Sequence, residues 1–285
     1  MRRNLRRREL LAFFERLPPV EVALEACGGS HHWGRALLAL GHRVRLIPPQ
    51  YVKPFGKRSK NDRNDAKAIS VAAAQPSIGS VAAKSAEQQP AAMLLSVREL
   101  LVRQRTQLAN AMRGHAAEMG VVAPLGEKGL RELRAEVAAA DDAAVPAAAK
   151  QAIALLGREA ERLEVRLAAI DATLMQQHKA NPLSRRLAAI PGIGPIGALN
   201  FALRVAPGQF ASARHFAAWL GLVPRECSTA GQGPTDRSAT SPWLLNLLGR
   251  KPRKLAAVAL ANKMARIVWA MMASGEAYRP RPAAA

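Results

Sequence analysis

Residues 20–49, VEVALEACGGSHHWGRALLALGHRVRLIPP, decide the fold of the N-terminal part of the chain. The apolar run Val20 to Ala26 reads as a strand, Gly28-Gly29 breaks it, and a helix runs from about Ser30 to Leu40 until Gly41 stops it. A second strand covers Arg43 to Ile47 ahead of Pro48-Pro49, so the segment is a βαβ unit with parallel strands. An amphipathic helix with Leu10, Leu11, Phe14 and Leu17 precedes it and ends at Pro18-Pro19. In open α/β sheets functional groups collect outside the carboxyl ends of the strands. Glu25 ends the first strand, and the loop after the second, residues 56–66, holds Asp62 and Asp65 among Lys57, Arg58 and Lys60. Their i, i+3 spacing puts both aspartates on one face of the helix that begins there.

Two readings of that pair stay open. Carboxylates close together amid cations suit a divalent metal acting on phosphate. Alternatively, Asp62 caps the helix and Asp65 pairs with Lys60 or Arg63, which needs no metal. Composition favours a nucleic-acid partner: 42 Lys+Arg against 21 Asp+Glu give a formal charge of +21 and a pI near 11.3. Such a polycation gains by displacing counterions from a phosphate backbone. No stretch approaches the roughly 18 consecutive apolar residues of a membrane span. The arginine-rich start lacks the apolar core of a signal peptide. Cys27 and Cys227 stand outside any metal-ligand spacing and fit a reducing compartment, so the expected location is the cytoplasm. His31 and His32, beside Trp33 at a helix start, read as surface or packing residues.

The middle of the chain is helical. Pro90 opens a long helix to Glu118 with Leu94, Leu101, Leu108 and Met112 along one side. Ile153, Leu156, Ala160, Leu163, Leu167, Ile170 and Leu174 then alternate 3 and 4 apart, a coiled-coil seam that serves either a hairpin within the chain or a dimer zipper. The C-terminal part opens on Ile190-Pro191-Gly192-Ile193-Gly194-Pro195-Ile196-Gly197, a helix-hairpin-helix pattern. Its glycines, Gly192, Gly194 and Gly197, let backbone N–H groups approach a phosphate, or simply make a tight packing turn. A helix near Arg214 to Leu220 and a basic one from Lys254 to Ala273 follow.

Glu25-Ala26-Cys27-Gly28, Leu46-Ile47-Pro48-Pro49, Lys60-Asn61-Asp62 with Asp65, the 190–195 turn, Ala218-Trp219-Leu220-Gly221-Leu222-Val223-Pro224 and Ala259-Leu260-Ala261-Asn262-Lys263 occur in this order in one family. Over nearly its whole length the chain resembles bacterial insertion-sequence transposases with an Asp-Glu-Asp-Asp, Holliday-junction-resolvase-like N-terminal domain and a serine-nucleophile C-terminal domain. The resemblance implies an α/β plus α architecture: an RNase H-like domain over 1–85, a helical coiled-coil connector over 86–182 and a mostly helical C-terminal domain over 183–285. It implies a DNA recombinase that works as a dimer or tetramer with a structured noncoding RNA. Glu25, Asp62 and Asp65 are the expected magnesium ligands, and Ser228, next to Thr229, is the expected nucleophile.

Two departures from the family pattern lead to further expectations. No aspartate precedes Asp62, so one acidic ligand and a covering strand are missing, and an exposed sheet edge is predicted near Val20 to Ala26. After Ser228 a short polar loop, Gln232 to Ser241, leads directly to Trp243 where the family has a basic stretch and another helix. The leading function is thus DNA transposition by strand cleavage and rejoining, with a non-catalytic nucleic-acid-binding remnant or a junction-resolving nuclease as alternatives.

Overall fold

The computed structural model describes residues 5–56, 61–222 and 242–279. The chain order begins α1 (Leu10–Glu15), β1 (Glu21–Glu25), α2 (Ser30–Ala39), β2 (Arg43–Ile47), α3 (Pro49–Val52) and α4 (Asp62–Ala74). It continues α5 (Gln88–Ala117), α6 (Gly126–Ala139), α7 (Ala147–Ala180), α8 (Pro182–Leu187) and α9 (Pro195–Arg204), then α10 (Ala213–Trp219), α11 (Pro242–Arg250) and α12 (Arg253–Ser274). Two compact units result. The first takes Met1–Gln88, Arg185–Gly194 and Arg204–Ala285; the second takes Gln89–Ser184 and Pro195–Leu203.

The first unit contains the βαβ segment read from the sequence. β1 and β2 pair in parallel from Glu21 opposite Arg43 to Glu25 opposite Ile47. The chain enters α2 through Gly29 at φ 86° and leaves it through Gly41 at φ 85°, left-handed conformations that favour glycine. Side chains alternate across a strand. Ala23 and Ile47 therefore meet α4, in a core with Val52, Ala68 and Ala72, while Val44 and Leu46 face α2. A side chain at Gly34 of α2 would stand 3.1 Å from Ala83 and 3.6 Å from Leu46, so that helix lies close on the sheet. Val81 donates its N–H to the Leu46 carbonyl at 2.8 Å and forms an antiparallel bridge there, adding one residue of cover to the free side of β2. β1 has β2 as its only strand neighbour among the described residues. Its Val22 is nonetheless buried, and the expected exposure is limited to Glu21, with residues 23–26 half-buried.

Two side chains that the sequence reading passed over hold this unit together. Arg45 of β2 donates to the carbonyls of Ala73 at 2.7 Å and Ile78 at 3.0 Å, closing the C-terminal end of α4 with a cation where the helix is negative. His42, buried at the start of β2, accepts the Val20 N–H on Nδ1 at 3.2 Å and donates from Nε2 to the Phe14 carbonyl at 3.1 Å. These bonds tie α1 and the start of β1 to the end of α2. In the C-terminal part of the unit, α10 packs on α12, and Phe216 is fully buried against the rings of Phe210 and Trp219. Trp269 donates to the Pro207 carbonyl at 3.2 Å. With 22 residues and mean hydropathy 1.3, α12 is long and apolar enough to cross a membrane by length and composition. Lys263 and Arg266 interrupt its apolar surface, and Ala256, Ala265, Val268 and Met271 are buried.

The second unit is helical. Met112 and Ala116 of α5, Leu133 and Val137 of α6 and Ile153 and Ala160 of α7 share one core. Ala91 and Leu95 of α5, Leu174 of α7 and Leu199 of α9 share another. The predicted seam is therefore buried within the single chain, with Leu163 and Leu167 also enclosed, and it makes an intramolecular hairpin. Arg98 pairs with Asp171 between α5 and α7. The α7 helix stops where the sequence indicates, at Asn181, whose side chain accepts the Ser184 N–H at 2.8 Å to begin α8.

His42→Ala empties a buried site and leaves the half-buried Val20 N–H without its acceptor, while the Phe14 carbonyl keeps the Leu17 N–H. It is expected to lower stability by about 2 kcal/mol, read as a lower urea midpoint at unchanged m-value.

Candidate nucleic-acid interface

α4 carries the aspartate pair. Asn61, in extended conformation, accepts the Asn64 N–H on its side chain at 2.9 Å. The cap is therefore Asn61 and not Asp62, which is already the first helical residue. Asp62 is exposed and Asp65 half-buried, both in the first turn, where the positive end of the helix favours carboxylates. The alternative pairing of Asp65 with Arg63 does not occur among the ion pairs found in the described residues. Glu25 ends β1, half-buried, on the strand parity of Ala23 and hence on the α4 face of the sheet.

Sharing a face does not bring the three carboxylates together. Among the described residues no group of three or more His, Cys, Asp or Glu side chains is placed to hold a metal ion. Magnesium demands nearly octahedral oxygen ligands, so Glu25, Asp62 and Asp65 as arranged do not fit it. Lys57, Arg58, Lys60, Ser228 and Thr229 lie outside the described residues.

Charge is divided unequally between the units. The segments of the second unit carry 12 basic and 11 acidic residues, whereas the segments of the first carry 30 basic and 10 acidic. The second unit compensates its charges internally, through Arg98–Asp171, Arg134–Glu161 at 2.7 Å, Lys150–Asp142 at 2.9 Å, Lys128–Glu132 at 3.7 Å and Arg162–Glu159. The first unit cannot, because its cations outnumber its carboxylates threefold. Its excess charge is the electrostatic footprint of a polyanion site.

At the start of α2 lies a cluster that sequence reasoning missed. The Lys84 N–H donates to His31 Nδ1 at 3.2 Å, and Lys84 Nζ lies 2.9 Å from His31 Nε2. Arg35 donates to the Lys84 carbonyl at 2.8 Å. Burial, then the charges of Lys84 and Arg35, pushes the His31 imidazole below its ordinary value. Burial and the charge of Arg204 lower the Lys84 ammonium likewise. Nothing in the spacing announces this cluster: Lys84 is 53 residues from His31, and the Val81–Leu46 bridge brings it there. His32 stacks edge-on against Trp33, over which Arg7 lies at 5.4 Å, so His32 has the packing role that the sequence suggests.

In the C-terminal turn, Gly192 has φ 86°, and a side chain there would come within 2.8 Å of Met264 on α12. The turn's first glycine thus has a packing requirement of its own. Gly194 and Gly197 are exposed, with open space where a Cβ would be. Asn262 of α12 donates to the Leu222 carbonyl at 2.8 Å, and the Lys263 ammonium stands 4.3 Å over the Trp243 ring.

Comparison with known proteins gives this polycationic chain its class. Residues 3–120 match a family model described as a transposase, and residues 184–250 match the model of the transposase IS116/IS110/IS902 family. A putative transposase, y4pF/y4sB, of Sinorhizobium fredii is 46% identical over 98% of this chain and 79% of its own. A probable family 20 transposase of Pseudomonas aeruginosa is 41% identical over 98% and 91%. The transposase for insertion sequence element IS1111A of Coxiella burnetii is 34% identical over 90% and 79%. The chain belongs to the IS116/IS110/IS902 family of transposases. Two of these alignments extend over 309 positions, more than the 285 residues of this chain, so they open gaps within it.

Because Asn61 caps α4, Asn61→Ala is expected to cost about 1 kcal/mol and to raise amide exchange in the first turn of α4. With the carboxylates apart, millimolar magnesium should leave the Tm of the free chain unchanged; a rise that Asp62→Ala abolishes would show a metal site already assembled.

Proposed function

We propose that this chain is the transposase of a bacterial insertion sequence, acting on DNA in the cytoplasm by cleaving and rejoining strands. The observation that carries the reading is the concentration of uncompensated positive charge in the first unit, in a chain whose relatives are named transposases. Phosphate contacts of this kind position a protein on nucleic acid without reading sequence. Sequence choice is then left to a second component, and the structured noncoding RNA implied by the family resemblance supplies one. Multimeric assembly belongs to the same reading.

Ser228 is the proposed nucleophile. Its oxygen attacks a backbone phosphorus, forms a phosphoserine ester and releases the departing strand's oxygen; a second strand hydroxyl then reverses the step and frees the serine. Gly192, Gly194 and Gly197 are the proposed phosphate contacts of the C-terminal turn, and Lys57, Arg58 and Lys60 are proposed to neutralise phosphates beside α4. Glu25, Asp62 and Asp65 are the acidic positions of the N-terminal domain, here read as RNase H-like. That no group of three or more ligand-type side chains is placed to hold a metal among the described residues supports a second reading, in which the chain binds nucleic acid without cutting it.

The two readings part in one experiment. The full chain is mixed with duplex DNA containing the sequences that flank its reading frame, magnesium and RNA transcribed from those flanks, and a denaturing gel then reports covalent adducts. Transposition chemistry gives an adduct with the wild type and none with Ser228→Ala. Salt-sensitive binding with no adduct in either protein establishes the binding-only reading.

A further inference from the structure

The His31–Lys84 contact contains a conflict of donors. Because His31 Nδ1 accepts the Lys84 backbone N–H at 3.2 Å, the neutral imidazole carries its proton on Nε2, which is thus a donor. It faces the Lys84 ammonium, another donor, at 2.9 Å. Two donors at that distance are satisfied by an acceptor that both can reach, or by loss of a proton from the lysine. The surroundings supply more cations: Arg35 binds the Lys84 carbonyl at 2.8 Å, and Arg204 is near enough to act on the Lys84 charge. Among the described residues, no carboxylate pairs with Lys84 or His31.

The geometry is built rather than incidental. Val81 is held on Leu46 by its bridge, and Ala83 closes on Gly34, where an added Cβ would stand 3.1 Å away, so the backbone leading into Lys84 is held against β2 and α2. His31 stands in the first turn of α2, immediately beyond the carboxyl end of β1, the edge where open α/β sheets receive ligands. Both side chains are half-buried, within reach of a ligand from solvent.

We propose that His31 Nε2 and Lys84 Nζ together hold one non-bridging oxygen of a phosphate in a nucleic-acid backbone, with Arg35 fixing the lysine's backbone and Arg204 adding charge. The anion accepts from both donors and resolves their conflict. Burial first, and then the neighbouring cations, lower the proton affinity of both groups, and a bound anion would oppose both effects. This inference rests on the nucleic-acid reading above and adds to it a particular contact on the resolvase-like domain.

The test uses the full chain and a fluorescein-labelled duplex DNA of mixed sequence, with binding followed by anisotropy over a range of salt concentrations. Lys84→Met keeps the backbone contacts to His31 and Arg35 and removes the charge; it should flatten the plot of log K against log salt by about one unit, and Lys84→Arg should restore the slope. Acetylation of the wild type, read by mass spectrometry, should show Lys84 protected when the duplex is present. A slope unchanged in Lys84→Met, or Lys84 acetylated equally with and without duplex, overturns the proposed contact and leaves the transposase reading standing. Protection by inorganic phosphate but not by duplex overturns the backbone assignment. Failure of the wild type to bind nucleic acid at all overturns both readings.

Discussion

Repulsion between like charges is the constraint on which the rest of this structure depends. A compact body with 30 basic and 10 acidic residues among its segments cannot neutralise itself, and a few unmet kcal/mol matter against the marginal stability of folded proteins. The first unit manages by turning some cations into structural parts. Arg45 closes the end of α4, Arg186 donates to the Gly275 carbonyl beyond α12, and Lys263 lies on Trp243. The second unit solves the problem conventionally, with near-equal charges paired along and between its helices. One chain therefore combines a unit that calls for an external anion with one that does not.

Much of the fold was legible because local signals agreed with one another. Gly28-Gly29, Gly41 and Pro48-Pro49 punctuate the 20–49 segment, and β2 and α2 fall within a residue of where those breaks put them. The long α5 and α7 helices followed from their periodicity, but whether the seam joined one chain or two depended on contacts that periodicity does not contain. α6 was missed for a physical reason. A side chain at Gly129 would run into the Pro124 carbonyl, so the glycine is what allows the helix to pack on the loop before it, a contact that spacing in the sequence does not show. α11 was passed over although Pro242, a favoured first helical residue, stands ahead of the apolar run from Trp243 to Leu248.

The candidate site was legible as a list and not as an arrangement. Glu25 was expected at a strand end and Asp62 and Asp65 in a helical first turn, and they are there. What the sequence could not supply was their separation, or the fact that Asn61 takes the capping role proposed for Asp62. The His31–Lys84 pair lay beyond reach for the opposite reason: it is made by tertiary bridging over 53 residues. Membership of the transposase family is firm, while the acidic residues in the free chain do not form a metal centre among themselves. Both statements are consistent with a protein that organises its chemistry around a bound polyanion.

The most direct test of that claim is photochemical crosslinking of duplex DNA to the full chain, followed by mapping of the modified peptides. If the uncompensated charge of the first unit, together with the 192–197 turn, is the interface, adducts fall within residues 1–88 and 185–285. Adducts concentrated in residues 89–184, the balanced helical unit, would contradict it.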